Sequence, residues 1–319
     1  MITGEYIFYS DGLEVARSKN IITKFGKRFL TEHLAGMISF TYKDIAVGIA
    51  NGTDFALADT NSRLGFEFYK SQVNFGSIDI QPSGDTFSYS VVYKTTLPQD
   101  LVGTIKEIGL YPGGRVSRIS YDSKFISTFE NNLEWKDSDG YNPLLVDSVT
   151  PRVGNYVMKV GMPSGDTVNT SKEYKLATGV FDLSGYSVND SITLAFNKAD
   201  SNASNIRVIF YSSPTDYFYG DMDISALATG DRIVNLSLSD VFDNSSGTPD
   251  ATNISFIGIE FTRSSASSQS YVYLDAIRIN DEDTFDPGFG MISRSVLSVP
   301  IEKLAGRPID IEYKITLGF

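Results

Sequence analysis

Residues 301–319 read IEKLAGRPIDIEYKITLGF, and the place they take in the molecule decides its architecture. Ile309, Ile311, Tyr313, Ile315 and Leu317 alternate with polar residues, which puts all five on one face of an extended strand. The segment before Met291 has another character, acidic and rich in Ser, Asn and Asp. Alternating or β-rich runs occur again early in the chain, in DIAVGIA (44–50), GFEFYKSQVNFGSIDIQ (65–81), DTFSYSVVYKTTLP (85–98) and TIKEIGLY (104–111). Gly, Pro, Asn and Asp separate them, so they read as strands, and 309–317 is expected to complete their sheet. The outer segments 1–123 and 284–319 then form one split β domain, and 124–283 is a second domain inserted into it. Such insertion is tolerated where an exposed loop is cut and the guest's ends lie close together.

The charge follows the same division. Residues 124–283 hold 22 of the 39 acids and 11 of the 27 bases, a net of −11, which leaves −1 for the rest. The middle also carries the single tryptophan, Trp135, and three Ser/Asn-rich stretches that read as loops: NKADSNASN (197–205), FDNSSGTPDATN (242–253) and TRSSASSQS (262–270). A length of 319 residues suits two domains, each with its own core. The overall −12 argues against a nucleic-acid binder held by phosphate contacts. No apolar run approaches the roughly 20 residues of a membrane-spanning helix, so no membrane insertion is expected. The opening MITGEYIFYSDG has neither a basic nor an apolar signal region and the chain lacks cysteine, so folding in a reducing cytosol is expected.

In KNIITKFGKRFLTEHLAG (19–36), Ile21, Ile22, Phe25, Phe29 and Leu34 fall on one helical face, and Gly36 is suited to end the helix. The expected fold class is all-β with this one N-terminal helix. The succession NIITKFGKRFLTEHLAG (20–36), IAVGIANGTDFALADTNSRLGFE (45–67), TIKEIGLYPGGRVSRIS (104–120) and PIEKLAGRPIDIEYKITLGF (300–319) resembles structural proteins of tailed-phage virions, found in tails, baseplates, necks and fibres. Leu64 and Glu67 stand in its Leu-x-x-Glu feature, and residues 107–110 (EIGL) stand before the terminal strand. The loop IANGTDFALADT departs from the tighter Gly-x-Gly that is commoner there. The resemblance implies a virion-anchoring domain that contacts other virion proteins in a homo-oligomer, made in the host cytoplasm and extracellular once assembled. Glu107 reads equally well as a strand residue exposed at a turn. GIANGTD (48–54) lacks the Lys-Ser/Thr of a P-loop and opens no helix, which excludes a phosphate cradle.

The middle segment runs through STFENNLEWKDSDG (127–140), RVGNYVMKVGM (152–162), ATGVFDLSGYSVNDSITLAFNK (177–198), IRVIFYSS (206–213), DRIVNLSLSD (231–240), ISFIGIEFTR (254–263) and YVYLDAIRIND (271–281). Eight or so short strands at regular spacing, without a convincing helix, predict a sandwich. With Phe129-Glu130 near its start and Leu274-Asp275 near its end, the segment resembles a galactose-binding-like jelly roll, the scaffold of many carbohydrate-binding modules. The resemblance implies neighbouring first and last strands, a glycan ligand, and a structural calcium ion with carboxylates from Glu130 and Asp275. The alternative for Glu130 is simple exposure; for Asp275 it is a turn cap or a pair with Arg278.

Sugar recognition combines aromatic faces with a few polar groups that replace the water lost by hydroxyls. The stretch SSPTDYFYGD (212–221) fits best: Tyr217 and Tyr219 would point one way and Phe218 the other, with Asp216 and Asp221 nearby. Against this, strand aromatics commonly pack in cores. Trp135, beside Asp137 and Asp139, is either a ligand platform or a core residue. Catalysis has little support: the acids lie mainly in solvated loops, and His33, the only histidine, follows Glu32 with no triad partner in sight. Without Cys and with one His, zinc motifs are absent. The expectation is a non-enzymatic virion protein whose jelly roll contacts host-surface glycans. Its alternatives are a purely structural assembly or decoration protein, and a carbohydrate-binding or depolymerase protein.

Overall fold

A computed structural model describes residues 2–37, 43–83, 86–112, 124–163, 171–280 and 290–318. Among them the chain is β-stranded apart from two α-helices and one 3-10 turn. It divides into two compact units, Met1–Ile119 with Thr284–Phe319, and Ser120–Asp283. The junctions expected at 123/124 and 283/284 lie outside the described residues except for Lys124.

The first unit comprises β1 (Ile2–Ser10), β2 (Leu13–Lys19), β3 (Ile21–Ile22), α1 (Lys24–Leu34), β4 (Lys43–Gly48), β5 (Glu67–Gln72), β6 (Asn74–Ser83), β7 (Thr86–Leu97) and β8 (Gly103–Pro112). Two strands from the far end of the chain, β21 (Ser293–Lys303) and β22 (Ile309–Gly318), complete it. One antiparallel sheet has the order β2-β1-β22-β7-β6 and the other β3-β21-β8-β4-β5. Strand β22 is central rather than an edge: Tyr313 lies opposite Tyr6 on one side and Tyr93 on the other. Its alternation translates into burial of Ile309, Ile311, Tyr313 and Ile315; the side chain of Leu317 lies outside the described residues. The sheets meet face to face, with Tyr6 Oη 2.8 Å from Ser293 Oγ and Ser18 Oγ 2.6 Å from Ser295 Oγ.

The helix begins three residues later than the sequence pattern predicts. Ile21 and Ile22 pair with β21 instead, a use that suits β-branched side chains. Thr23 is the N-cap, with extended backbone and a side chain that accepts from Gly26 N. Phe29 is buried on the inner face, whereas Leu34 is exposed, and Gly36 follows the helix with φ +72°.

Glu107 is fully buried and bound to the equally buried Arg294, with Nε and Nη2 at 3.0 and 2.8 Å from Oε2. It also accepts from the amides of Ala50, Gly65 and Phe66, while Arg294 donates to Phe55 O, Ala56 O and Asn61 Oδ1. The reading of Glu107 as an exposed turn residue is therefore corrected. The charge is tolerated inside because every neighbour that faces it is a hydrogen-bond donor.

The second unit contains β9 (Lys124–Ser127), β10 (Trp135–Asp137), β11 (Leu144–Val146), β12 (Val157–Met162), β13 (Ser171–Phe181), β14 (Ser191–Lys198) and β15 (Ala203–Tyr211). It continues with β16 (Tyr217–Asp223), β17 (Gly230–Ser237), α2 (Leu238–Asp243), β18 (Ser245–Ser246), β19 (Ile254–Arg263) and β20 (Ser270–Asn280). One antiparallel sheet has the order β10-β13-β19-β15-β16-β18, and the other β11-β12-β20-β14-β17. Phe129, Trp135, Phe196, Phe210, Phe261 and Ile277 pack between them. Strand β9 pairs with β20, with Lys124 opposite Ile279, which brings the two ends of the unit to one place. The protein is thus all-β, two sandwiches built from four antiparallel sheets, the second a jelly roll. The short helix α2, where the sequence suggests only strand, starts because Ser237 caps it through Ser239 N.

Candidate functional site

The six-stranded sheet of the second unit turns one face to the core and one outward. Along β15, Ile206, Val208 and Phe210 are core residues, so Asn205, Arg207, Ile209 and Tyr211 occupy the outer face. Register extends this face across three strands. Arg207 lies opposite Glu260 of β19 and Asp221 of β16; Ile209 opposite Gly258 and Tyr219; Tyr211 opposite Phe256 and Tyr217. On the far side of β19, Glu173 and Lys175 of β13 face Glu260 and Gly258.

An aromatic zone and a charged zone result. Tyr211 and Tyr217 have ring centroids 4.9 Å apart, Tyr217 and Tyr219 6.1 Å. Tyr211 is the floor of the zone, covered by its neighbours; Tyr217 and Tyr219 are half-buried, and Phe256 is 39% exposed. Large rings held in place and partly open to water are what a stacking ligand requires. Phe218 points to the opposite side, where it packs on Phe242 beside the core.

The polar groups beside the rings are fixed in position. Arg207 binds Asp221 bidentately, at 2.9 and 3.0 Å, and its guanidinium lies 4.4 Å from the Tyr219 ring centroid. Asn205 Nδ2 donates to Asp221 Oδ1 at 2.6 Å. Burial pushes the Asp221 carboxyl up, but the Arg207 and Asn205 hydrogen bonds outweigh it and hold the group below the usual carboxylate range. Tyr211 Oη donates to Glu173 Oε1 at 2.6 Å, and Lys175 Nζ sits 4.2 Å from the Tyr211 ring centroid. Burial first, and then Glu173, push the Tyr211 hydroxyl well up, so it stays a donor. Gly258 lets Glu173 and Tyr211 lie close over the β19 backbone: a Cβ there would stand 2.7 Å from Glu173 Oε1 and 3.1 Å from Tyr211 Cε2.

Of the residues proposed from sequence for a glycan, Tyr217, Tyr219 and Asp221 share this face. Asp216 does not contribute to it. Its carboxylate accepts from Ser213 Oγ at 2.5 Å and Thr248 N at 2.9 Å, so it fastens two loops together. Trp135 is corrected from platform to core: it is 1% exposed and packs on Phe129, with ring centroids 5.2 Å apart. Tyr211, Arg207, Phe256, Glu173 and Glu260 were missed. The polar-apolar alternation of Asn205-Ile206-Arg207-Val208 was the available signal.

The carboxylates expected to hold calcium have other partners. Asp275 is buried and accepts from Arg152 N and Nε at 3.0 and 3.2 Å on Oδ2, and from Val153 N at 3.1 Å on Oδ1. Glu130 accepts from Asn155 N and Tyr156 N at 3.0 Å. Arg278, the other partner considered for Asp275, lies over the Phe125 ring. Calcium is held by oxygen ligands, whereas both carboxylates here face N–H donors. Among the described residues no group of three or more His, Cys, Asp or Glu could hold a metal ion. The donor set does not fit the ion.

Two open cavities of about 450 and 520 Å³ lie in the first unit, and none of the residues proposed from the sequence for a glycan or a metal lines them. His33 lies near the exposed end of α1.

The sequence matches no known protein family, and no curated protein matches it. Solved structures do resemble about half of the chain. One is a family 11 carbohydrate-binding module from Clostridium thermocellum in complex with a beta-1,3-1,4-mixed-linked tetrasaccharide, 15% identical, covering 50% of this chain and 95% of that one, with a TM-score of 0.36. A family 30 carbohydrate-binding module is 16% identical, covering 46% and 91%, with a TM-score of 0.36. A non-crystalline cellulose specific module, CBM28, is 16% identical over 48% and 92%, with a TM-score of 0.33. The likeness is one of β-sandwich form; what this chain binds has to be argued from its own residues.

Proposed function

We propose that the protein binds glycans through the outer face of the β10-β13-β19-β15-β16-β18 sheet, and that it acts by binding rather than by catalysis. The observation that carries this is the register of Tyr211, Tyr217, Tyr219 and Phe256 beside a fixed Arg207–Asp221 pair. Rings supply stacking area, and the charged groups supply hydrogen bonds that replace those the sugar hydroxyls give up to water. The role of the first unit as an anchor among virion subunits, in a homo-oligomer, belongs to this proposal on its motif order alone. No comparison points to a virion.

The test is retention of the full chain on a panel of immobilised polysaccharides, with Tyr217→Ala and Tyr219→Ala alongside. Loss of a stacked ring is worth about 1–3 kcal/mol in the nucleic-acid case, so each change should weaken binding about 5- to 150-fold. Circular dichroism of each variant must match the parent. Binding to no glycan would turn the proposal toward a purely structural role, and binding indifferent to both changes would remove this face from it.

A further inference from the structure

The loop Arg152–Tyr156 is bracketed by two acidic side chains from distant parts of the second unit, Asp275 at one end and Glu130 at the other. Asp275 takes three N–H groups: two amides and the Arg152 Nε. The same guanidinium reaches onward, with Nη2 donating at 3.1 Å to both Phe196 O and Arg232 O. It is buried, as is its partner, so its charge is balanced by Asp275 and its remaining protons by carbonyls. Glu130 fastens the other end of the loop through Asn155 N and Tyr156 N. Its approach depends on Gly154, φ +76°, since a Cβ there would collide with the Glu130 carboxylate.

A second site in the same unit repeats the arrangement with a different cation. Lys198 is 1% exposed, and its ammonium donates to Ile224 O at 2.6 Å, Leu227 O at 2.9 Å and Ser225 O at 3.1 Å. Three converging carbonyls are the surroundings in which a bound cation is often found. Here the charge arrives on a strand side chain.

We infer that, among its described residues, the second unit dispenses with a structural metal ion, the Arg152 guanidinium and the Lys198 ammonium serving as tethered cations at Asp275 and at the 224–227 carbonyls. For calcium to enter beside Asp275, Arg152 would have to leave, stranding its charge and breaking its hydrogen bonds to Phe196 O and Arg232 O. A tethered cation is always present, so the stability of this unit does not follow the metal content of its surroundings.

Thermal unfolding of the full chain, followed by fluorescence of its single tryptophan, tests this, because Trp135 lies in the core of the unit concerned. The melting temperature should be the same in EDTA and in millimolar calcium, and elemental analysis after gel filtration should find no stoichiometric metal. Arg152→Met and Lys198→Met should each melt several degrees lower, by equal amounts in both solutions. Should Arg152→Met fail to fold, Arg152→Lys keeps a charge but loses the fork to Phe196 O and Arg232 O, and should melt below the parent in both. A rise of about 5 °C or more in the parent on adding calcium, the mass-action signature of an ion bound to the folded state, would overturn the inference. So would a stoichiometric metal retained through gel filtration.

Discussion

Replacing Glu107 by Leu tests whether the buried Glu107–Arg294 pair is an anchor for the 49–66 segment or only an ion pair. The single change leaves Arg294 charged and fully buried, and it strips the acceptor from the amides of Ala50, Gly65 and Phe66. Breaking one side of a buried pair typically costs about 3–5 kcal/mol. That is a large share of the roughly 5–15 kcal/mol by which a domain is stable. The informative variant is the double one, Glu107→Leu with Arg294→Met. Where a buried pair has only itself to satisfy, exchanging both partners for apolar residues is often neutral. Here the double change still orphans three amides together with Phe55 O and Ala56 O, while Asn61 Oδ1 keeps only the Ala58 amide. Each buried group left without a partner costs about 1–3 kcal/mol, so a loss of about 3 kcal/mol or more should persist. Hydrogen exchange at Ala50, Gly65 and Phe66 reports on the first unit, and Trp135 fluorescence serves as a control on the second. Exchange rates in the double variant within a few-fold of the parent would refute the anchor.

Gly258→Val should displace Glu173 and Tyr211 and weaken glycan retention about tenfold, the equivalent of 1.4 kcal/mol, without unfolding the protein. Burial first, with Glu173 and Asp221 adding to it against the pull of Arg207, raises the Glu260 carboxyl above its ordinary range. The folded state therefore holds that proton to higher pH than the unfolded state does, and stability falls as pH rises through the interval between the two values. Glu260→Gln should flatten this slope and raise the melting temperature near neutrality; a steeper fall would contradict it. Removing 301–319 should abolish slow hydrogen exchange throughout the first unit while leaving the Trp135 transition in place. Trp135→Ala should cost about 3–5 kcal/mol of second-unit stability, by denaturant unfolding.

What could be read from sequence depended on whether a residue's meaning lay in its own neighbourhood. The alternation in 309–317 is local, and it was enough to place a strand with one buried face. That the strand is central, between β1 and β7, is set by partners more than two hundred positions away and leaves no local trace. Ile21 and Ile22 suit a helix face and a strand equally well, and the Thr23 cap decides between them. Trp135 illustrates the limit for single residues, since adjacent aspartates are as compatible with a core tryptophan as with an exposed one. Glu130 and Asp275 were singled out, but their partner Arg152 lies 123 positions from Asp275, and only folding shows that it supplies the positive charge. On the candidate face, Tyr217 and Tyr219 stood out because they sit in a Ser/Asp-rich context. Tyr211 and Phe256 were hidden beside apolar neighbours, in VIFY (208–211) and FIGI (256–259), where the alternation is lost.

The central place of β22 also governs the order in which the molecule can be made. Tyr9 hydrogen-bonds Glu312, 303 positions further along, so β1 waits through synthesis of the whole second unit before its partner exists. Closing so long a loop costs entropy that grows with the logarithm of its length, and non-local pairing of this kind slows folding. The second unit has all its strands before β22 emerges, and domains tend to fold as units during synthesis. Once β9 is paired with β20, Lys124 is held opposite Ile279, and the intervening residues no longer count toward the loop that β1 and β22 must close. The inserted sandwich then acts as a staple on the nascent chain: its folding turns a distant encounter into a short one for the sheet whose strands flank it in sequence.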